Sequence, residues 1–493
     1  MFRTGHRDAG AAHRRLQKWG MPQAQPRVAV IGAGPSGLYA AAALVASGSG
    51  VSVDVLDRLP APYGLVRYGV APDHVKMKNV IRVLQKPFEP AEVHFLGNVR
   101  IGEDGVPLDV LREHYHAIIH ATGSSLDRAL GVPGEDLAGS LGSGAFVSWY
   151  SGHPDHIALD PQLDHPGVAV VGAGNVALDV ARVLAKHAVD LRSTEIADNV
   201  LAGLEASAVT DVHVFGRRGP ADIKFTPIEL RELGEVPNVD IVVHDEDFVD
   251  ADPANAANNQ LKVMLRVLNS WRTREATGAS RRLHLHFYHS PVEVLGDGKV
   301  EGIRFERTEP TGDGRVRGTG EFREIAVQQV YRAVGYYGTP VVGAPFDESR
   351  GVIPNVEGRV TDVRTSTSEP IPGLYATGWI KRGPVGLIGH TKSDAMETIA
   401  HLVADAEAGV LTTPTIEADV LDLLEERGVA YTTWDGWLAL DAHERELGAN
   451  HQHTRERVKV VPRDEQVEIS RAGACVSEPG VWGGAPLREL TLS

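Results

Sequence analysis

Two glycine-rich turns, each placed directly after an apolar run, constrain this chain more than any other feature. The first is Gly32-Ala33-Gly34-Pro35-Ser36-Gly37, after Val28-Ala29-Val30-Ile31. The second is Gly172-Ala173-Gly174-Asn175-Val176-Ala177, after Val168-Ala169-Val170-Val171. In each, the first glycine permits a tight turn and the second lets the backbone approach a pyrophosphate. The third position, Gly37 or Ala177, lets the helix pack close to the strand. Free N–H groups and the helix dipole then face the phosphates. Two such units imply an α/β fold with two Rossmann-like domains and two nucleotide cofactors.

The strand beyond each turn separates the ligands. After the first turn, the apolar strand 51–56 ends at Asp57, twenty residues past Gly37, where an acid accepts hydrogen bonds from an adenosine ribose. After the second, the strand 212–215 ends at Gly216-Arg217-Arg218. Two guanidinium groups there suit a 2′-phosphate, with which arginine pairs in a bidentate way. The first site therefore reads as FAD and the second as NADP(H). The competing reading makes Arg217 and Arg218 solvated surface charges.

Bulk properties narrow the function classes. At 493 residues the chain is long enough for two or three domains. A formal net charge of −16 argues against general nucleic-acid binding, while leaving room for a local basic patch. Cys475 is the single cysteine, so a dithiol redox pair and cysteine-ligated zinc or iron–sulfur centres are excluded, and no metal is expected. No apolar run reaches the roughly 18 residues of a membrane span, and a cytoplasmic protein is expected. Residues 1–25 hold five basic residues and one acid without an apolar segment; they read as a flexible extension.

Along the chain, a helix is expected over 37–47 and a basic helix near His74, with strands at 117–120, 284–288 and 301–305. Residues 250–260 read as a polar insertion. Ala121-Thr122-Gly123 and Ala376-Thr377-Gly378 are matching small-residue turns. The FAD domain is expected to be discontinuous, formed by 26–125 plus 346–493, with the NADPH domain, 126–345, inserted into it.

These residues together resemble the adrenodoxin-reductase-type family of ferredoxin–NADP reductases. The segments that carry the resemblance are 63–74, 146–150, 174–182, 216–220, 225–232 and 378–384. The resemblance implies an FAD flavoprotein in which electrons pass from NADPH through FAD to a ferredoxin-type iron–sulfur protein, or in reverse. It implies that Ser36, Asp57, Leu65 and Ile101 line the FAD adenosine and pyrophosphate, with Gly32, Gly34 and Gly37 forming the turn. Trp379, Gly386, Leu387 and Ile388 fall at the isoalloxazine and ribityl end. Gly172, Ala173, Gly174, Asn175, Val176, Arg217, Arg218 and Glu229 hold NADPH. His74 and Asp179 form a polar pair near the flavin and are the catalytic candidates; their alternatives are a helix-capping histidine and a solvated helix-face acid. Two positions depart from the family's pattern: Asp57 replaces a usual Glu, and Val385 a small polar residue.

A basic face for an acidic ferredoxin is expected from Arg231, Lys381 and Arg382, with Arg67, Arg272 and Arg274 as further members. Two other functions stay open on the sequence. One is another NADPH-dependent flavoenzyme such as a monooxygenase. The second is a non-catalytic nucleotide-binding protein of the same fold.

Overall fold

The structure is a computed structural model and describes residues 25–249, 251–362, 369–386 and 388–474. The expected extension, but for residue 25, and Cys475 lie outside those residues.

Strands β1 (Arg27–Ile31), β2 (Ser52–Leu56), β3 (Val93–Leu96) and β4 (Ala117–His120) open the chain. Next come β5 (Leu126–Asp127), β6 (Ser140–Gly142), β7 (Gly167–Val171), β8 (Asp211–Phe215), β9 (Val239–Val243) and β10 (Arg281–His286). A hairpin-linked trio, β11 (His289–Leu295), β12 (Gly302–Pro310) and β13 (Val316–Ile325), precedes β14 (Gln329–Arg332) and β15 (Tyr336–Tyr337). Strands β16 (Asn355–Val356), β17 (Arg359–Thr361) and β18 (Pro370–Ala376) come last.

They form two main sheets. The first has the order β16-β17-β18-β4-β1-β2-β3, in which β18, β4, β1, β2 and β3 are parallel. The second, β6-β14-β7-β8-β10-β9, is parallel throughout. The first sheet thus draws its strands from both sides of the second in sequence: one Rossmann-like unit is inserted into another. Both faces of a parallel sheet are covered, which is why β1 and β7 are near-continuous Val/Ala/Ile runs rather than alternating ones. The trio β11-β12-β13 closes one side of the second sheet, burying Ile303 and Phe305 against Ala169, Val171 and Phe215.

The helix after the first turn is Pro35–Ala46, starting two residues earlier than expected. Proline is pre-set for a first helical turn, where its missing N–H costs nothing. Against this helix packs Ile388–Glu407, through Ala395, Ile399 and Leu402. The basic segment after His74 is one turn only, Val75–Lys78, and the histidine side chain does not cap it. In the region expected as an insertion, Pro253–Asn255 makes a short 3-10 turn, and Asn258 caps the helix Asn259–Arg272.

Two chain crossings join the units, and they pair with each other: Tyr336 lies opposite Asp127 and Tyr337 opposite Leu126 in an antiparallel ribbon. Ion pairs reinforce the junction. Asp73, from the first unit, accepts from Arg182 Nε at 2.8 Å and Lys186 Nζ at 2.7 Å on the second. The C-terminal segment adds Lys459, whose ammonium donates to the Arg67 and Ser151 carbonyls and lies 2.7 Å from Glu195. Among the described residues, no helix is long and apolar enough to cross a membrane.

Candidate functional site

The first glycine turn is fixed by backbone crowding. Gly32 has φ +112°, and a Cβ there would sit 2.4 Å from the Ala121 carbonyl oxygen. A Cβ on Gly37 would meet the Gly32 oxygen at 1.9 Å, so only glycine lets the helix begin this close. Gly34 is open except for Gly64, whose absent side chain lets the 63–69 loop lie against the turn. Leu65, next in the chain, is 45% exposed, unusual for so large an apolar side chain beside a glycine-lined opening. Ser36 is crowded by Gly378, where a Cβ would lie 1.9 Å from the serine Oγ. The two small-residue turns therefore meet around the first glycine turn.

Asp57 is spent partly on the fold. Its Oδ2 accepts from Ala33 N at 2.7 Å and its Oδ1 from Leu59 N at 2.8 Å. Burial pushes its carboxyl pKa up, against those two hydrogen bonds. The acid staples the turn to the end of β2 while each oxygen keeps a second lone pair. Ile101 is half-buried against the apolar cluster containing Ile31, Leu56, Val99 and Val106, the first two of which end the strands leading to the turn and to Asp57. Beside the turn, His120, Thr122 and Ser124 have buried side-chain polar atoms without hydrogen-bond partners. Buried polar atoms are normally satisfied, so this group fits a polar ligand lying along the turn. His120 is fully buried, and burial lowers its pKa to about 4.

The second turn repeats the design. Gly172 has φ +153°, and a Cβ there would lie 2.2 Å from the Ala333 carbonyl oxygen. Gly174 has nothing within 4 Å of such a Cβ: it is a bare stretch of backbone at the start of the helix Asn175–Ala185. Asn175 Oδ1 accepts from Thr226 N at 3.0 Å, and the Ala173 carbonyl from Lys224 N, holding the loop after β8 in place. Val176 is half-buried against the core. Arg217 is exposed and Arg218 half-buried. Neither forms an ion pair among the described residues, and Arg218 Nε is buried without a partner. Glu229 is buried, its Oε2 is unpartnered, and burial pushes its pKa up.

Where the two units meet, several buried polar groups have no hydrogen-bond partner among the described residues. Trp379 stacks on Tyr336 of the crossing ribbon, ring centroids 6.4 Å apart. Tyr336 Oη is 3.3 Å from Ser143 Oγ, and the buried Tyr150 hydroxyl has no partner. His74 Nε2 lies 2.7 Å from Glu232 Oε2 and 3.6 Å from Asp179 Oδ1, without hydrogen-bond geometry to either. Asp179 instead accepts from Arg182 Nη1 at 2.7 Å. The expected His74–Asp179 pair is thus a three-residue group, with Glu232 the nearer acid. Gly386 is exposed at φ +89°. Leu387 lies outside the described residues, and Ile388 begins the long helix.

The NADPH-ferredoxin reductase FprA of Mycobacterium tuberculosis is 40% identical over 459 residues, spanning 90% of this chain and 98% of that protein. The chain belongs to the NADPH-ferredoxin and NADPH:adrenodoxin reductase family. A second relative, the mitochondrial NADPH:adrenodoxin oxidoreductase of Arabidopsis thaliana, is 38% identical over 87% of this chain and 93% of its own. The solved structure of M. tuberculosis FprA in complex with NADPH superposes with a TM-score of 0.85 at 38% identity, covering 91% of this chain and all of that one. Residues 26–213 also match the pyridine nucleotide-disulphide oxidoreductase family; one cysteine leaves the chain no disulfide to reduce.

Two members of the expected basic face do not belong to a reductase surface. Lys381 is buried, with its ammonium 3.1 Å from Asp394 and 2.6 Å from Glu397. Arg67 is buried in a two-pronged pair with Glu444. Both charges are spent inside the fold. Arg272 is engaged by Asp245 at 2.8 Å, and Arg274 donates to the Gly234 carbonyl. Arg231 stays exposed, its Nε turned to the Pro227 carbonyl, and Arg382 is half-buried beside Asp394. The sequence pattern missed Glu232 as a partner of His74, Tyr336 under Trp379, and Asp394, which accepts from the Gly378 N–H and Thr377 hydroxyl. No periodic or motif signal marks these residues; only the three-dimensional neighbours do.

Proposed function

We propose that this chain is a ferredoxin–NADP reductase: it binds FAD and NADPH and passes electrons to a ferredoxin-type iron–sulfur protein. One observation carries the reading. Two glycine turns each start a helix after a parallel strand, and the second is followed by two guanidinium groups that form no ion pair among the described residues. The names of the relatives support it, since they are reductases of ferredoxin and adrenodoxin. The single cysteine suits the reducing cytoplasm, which we take as its compartment.

When bound, FAD supplies the exchange between two-electron nicotinamide chemistry and one-electron transfer. The chain's own residues position and enclose. Gly32, Gly34, Ser36 and Gly37 receive the FAD pyrophosphate, and Asp57 holds their turn while offering its free lone pairs to the ribose. Leu65 covers the opening. Trp379 and Gly386 lie at the isoalloxazine end. Gly172, Ala173, Gly174, Asn175 and Val176 receive the NADPH pyrophosphate, with Arg217 and Arg218 on the 2′-phosphate. Glu229, with an unpartnered Oε2, takes a hydrogen bond with the NADPH. His74, between Glu232 and Asp179, orders the junction of the two units beside the flavin. Residues 126–345 form the NADPH domain, and 26–125 with 346–493 the FAD domain. Arg231 and Arg382 receive the ferredoxin.

Steady-state NADPH oxidation by the FAD-loaded protein tests this reading. Addition of a ferredoxin should stimulate turnover in a saturable way. Turnover that depends on an organic substrate and oxygen instead would contradict it and favour a monooxygenase.

A further inference from the structure

One face of the second sheet carries a cluster of histidines. β8 and β10 run parallel with His213 opposite His284 and Phe215 opposite His286. Side chains alternate along a strand, so His213, His284 and His286 project from the same face. His213 Nδ1 lies 3.0 Å from His286 Nε2. One ligand nitrogen from each of the three falls within 4.8 Å of the other two. Nitrogens at the corners of a tetrahedral zinc site, with bonds of about 2.0–2.1 Å, stand roughly 3.3 Å apart. The first pair is close to that separation at 3.0 Å; His284, stacked on His213 with centroids 4.3 Å apart, has to turn its ring to aim a nitrogen at the same ion.

The surroundings have the form of a ligand shell. His284 Nε2 is 2.9 Å from Asp211 Oδ1, the carboxylate partner that orients a ligating imidazole and leaves its other nitrogen free. His244, just past the end of β9, stacks on His286 with centroids 4.6 Å apart, and its Nε2 is buried without a hydrogen-bond partner. Phe215 closes the other side of His286 at 4.5 Å. A sheet face needing only apolar cover has no use for three imidazoles with nitrogens gathered this closely and a fourth stacked beside them. Imidazole sets of this kind select late first-row divalent ions over magnesium or calcium, which take oxygen ligands.

We propose that His213, His284 and His286 form a binding site for a divalent transition-metal ion of the zinc class, with Asp211 orienting His284 and His244 beside the open position. The site lies on the strand that leads to Arg217 and Arg218, but it stands independently of the proposed reductase function.

The experiment uses the full-length FAD-loaded protein, stripped with a chelator and dialysed against zinc or magnesium. Metal analysis should give one zinc per chain and no magnesium, and zinc should raise the thermal midpoint by several degrees, as binding to the folded state alone requires. Zinc should be lost from the His213→Gln/His286→Gln double variant and kept by His451→Gln/His453→Gln, which removes a histidine pair elsewhere. Cobalt added to the wild-type protein should give the visible bands of a tetrahedral nitrogen site. That measurement stands even if the double variant fails to fold. Absence of stoichiometric zinc and of cobalt bands, or zinc retained by a folded double variant, would overturn the proposal.

Discussion

Gly172 and Gly174 are equivalent letters in one motif, yet they stand in opposite surroundings. At Gly172 both the left-handed φ and the Ala333 oxygen forbid a side chain; at Gly174 there is open space and an extended φ of −119°. Gly172→Ala should therefore cost about 2–4 kcal/mol of stability, from strain and overpacking. Gly174→Ala should leave thermal unfolding unchanged while weakening NADPH binding at least tenfold, because the methyl occupies the pyrophosphate's approach. Equal losses of stability in the two variants would contradict the assignment. Arg217→Ala with Arg218→Ala should raise the NADPH KM by roughly 10- to 100-fold, on the scale of about 1.5–3 kcal/mol for a hydrogen bond to a charged group. The NADH KM should barely change, which steady-state kinetics with both nucleotides would show. The turns and arginines were legible in the sequence because backbone geometry and phosphate recognition restrict residue type at fixed spacing. Glu232 was not, since an acid facing His74 across a loop leaves no spacing rule.

At the scale of elements, the junction between the units is held by buried charge. Burial acts to raise the Asp73 pKa, but Arg182 and Lys186 reverse it and hold the carboxyl well below the usual range. Glu195, between Lys459 and Lys78, and Asp155, between Arg58 and Arg463, behave alike. A depressed carboxylate contributes stability that is present above the unfolded value of about 4 and lost as pH falls below it. Thermal midpoints should therefore hold near neutrality and drop steeply below about pH 4. Asp73→Asn leaves the Arg182 guanidinium buried without its main partner, so it should cost about 3–5 kcal/mol at neutral pH. It should also flatten the acid limb measured by circular dichroism; an unchanged limb would remove Asp73 from the junction. The sequence located β1, β7 and their helices, whose apolar runs are long. It misplaced the ends of strands: 284–288 is in fact Arg281–His286, because Tyr288 turns to φ +59° where the chain leaves the sheet. Lys381 and Arg67 could not be told from surface cations, since their enclosed partners, Asp394 and Glu444, come from other helices.

The whole molecule is one Rossmann-like unit inserted into another, and the chain passes between them twice through a two-stranded ribbon. The insertion was readable from the order of the two turns and the second Ala-Thr-Gly turn after them. The histidine face of the second sheet was not, as its residues come from separate strands. Partner docking belongs to this scale as well. Arg231→Glu should raise the ferredoxin KM several-fold and make it less sensitive to salt, leaving NADPH-driven flavin reduction unchanged. An unchanged KM would take Arg231 off the docking face. The central claim, that electrons run from NADPH through a bound flavin to an iron–sulfur partner, is tested most directly by an anaerobic NADPH titration monitored by visible absorbance. Oxidised ferredoxin is then added. The flavin band should bleach with NADPH and recover as the ferredoxin is reduced. A flavin that bleaches and stays bleached in the presence of oxidised ferredoxin would contradict the claim.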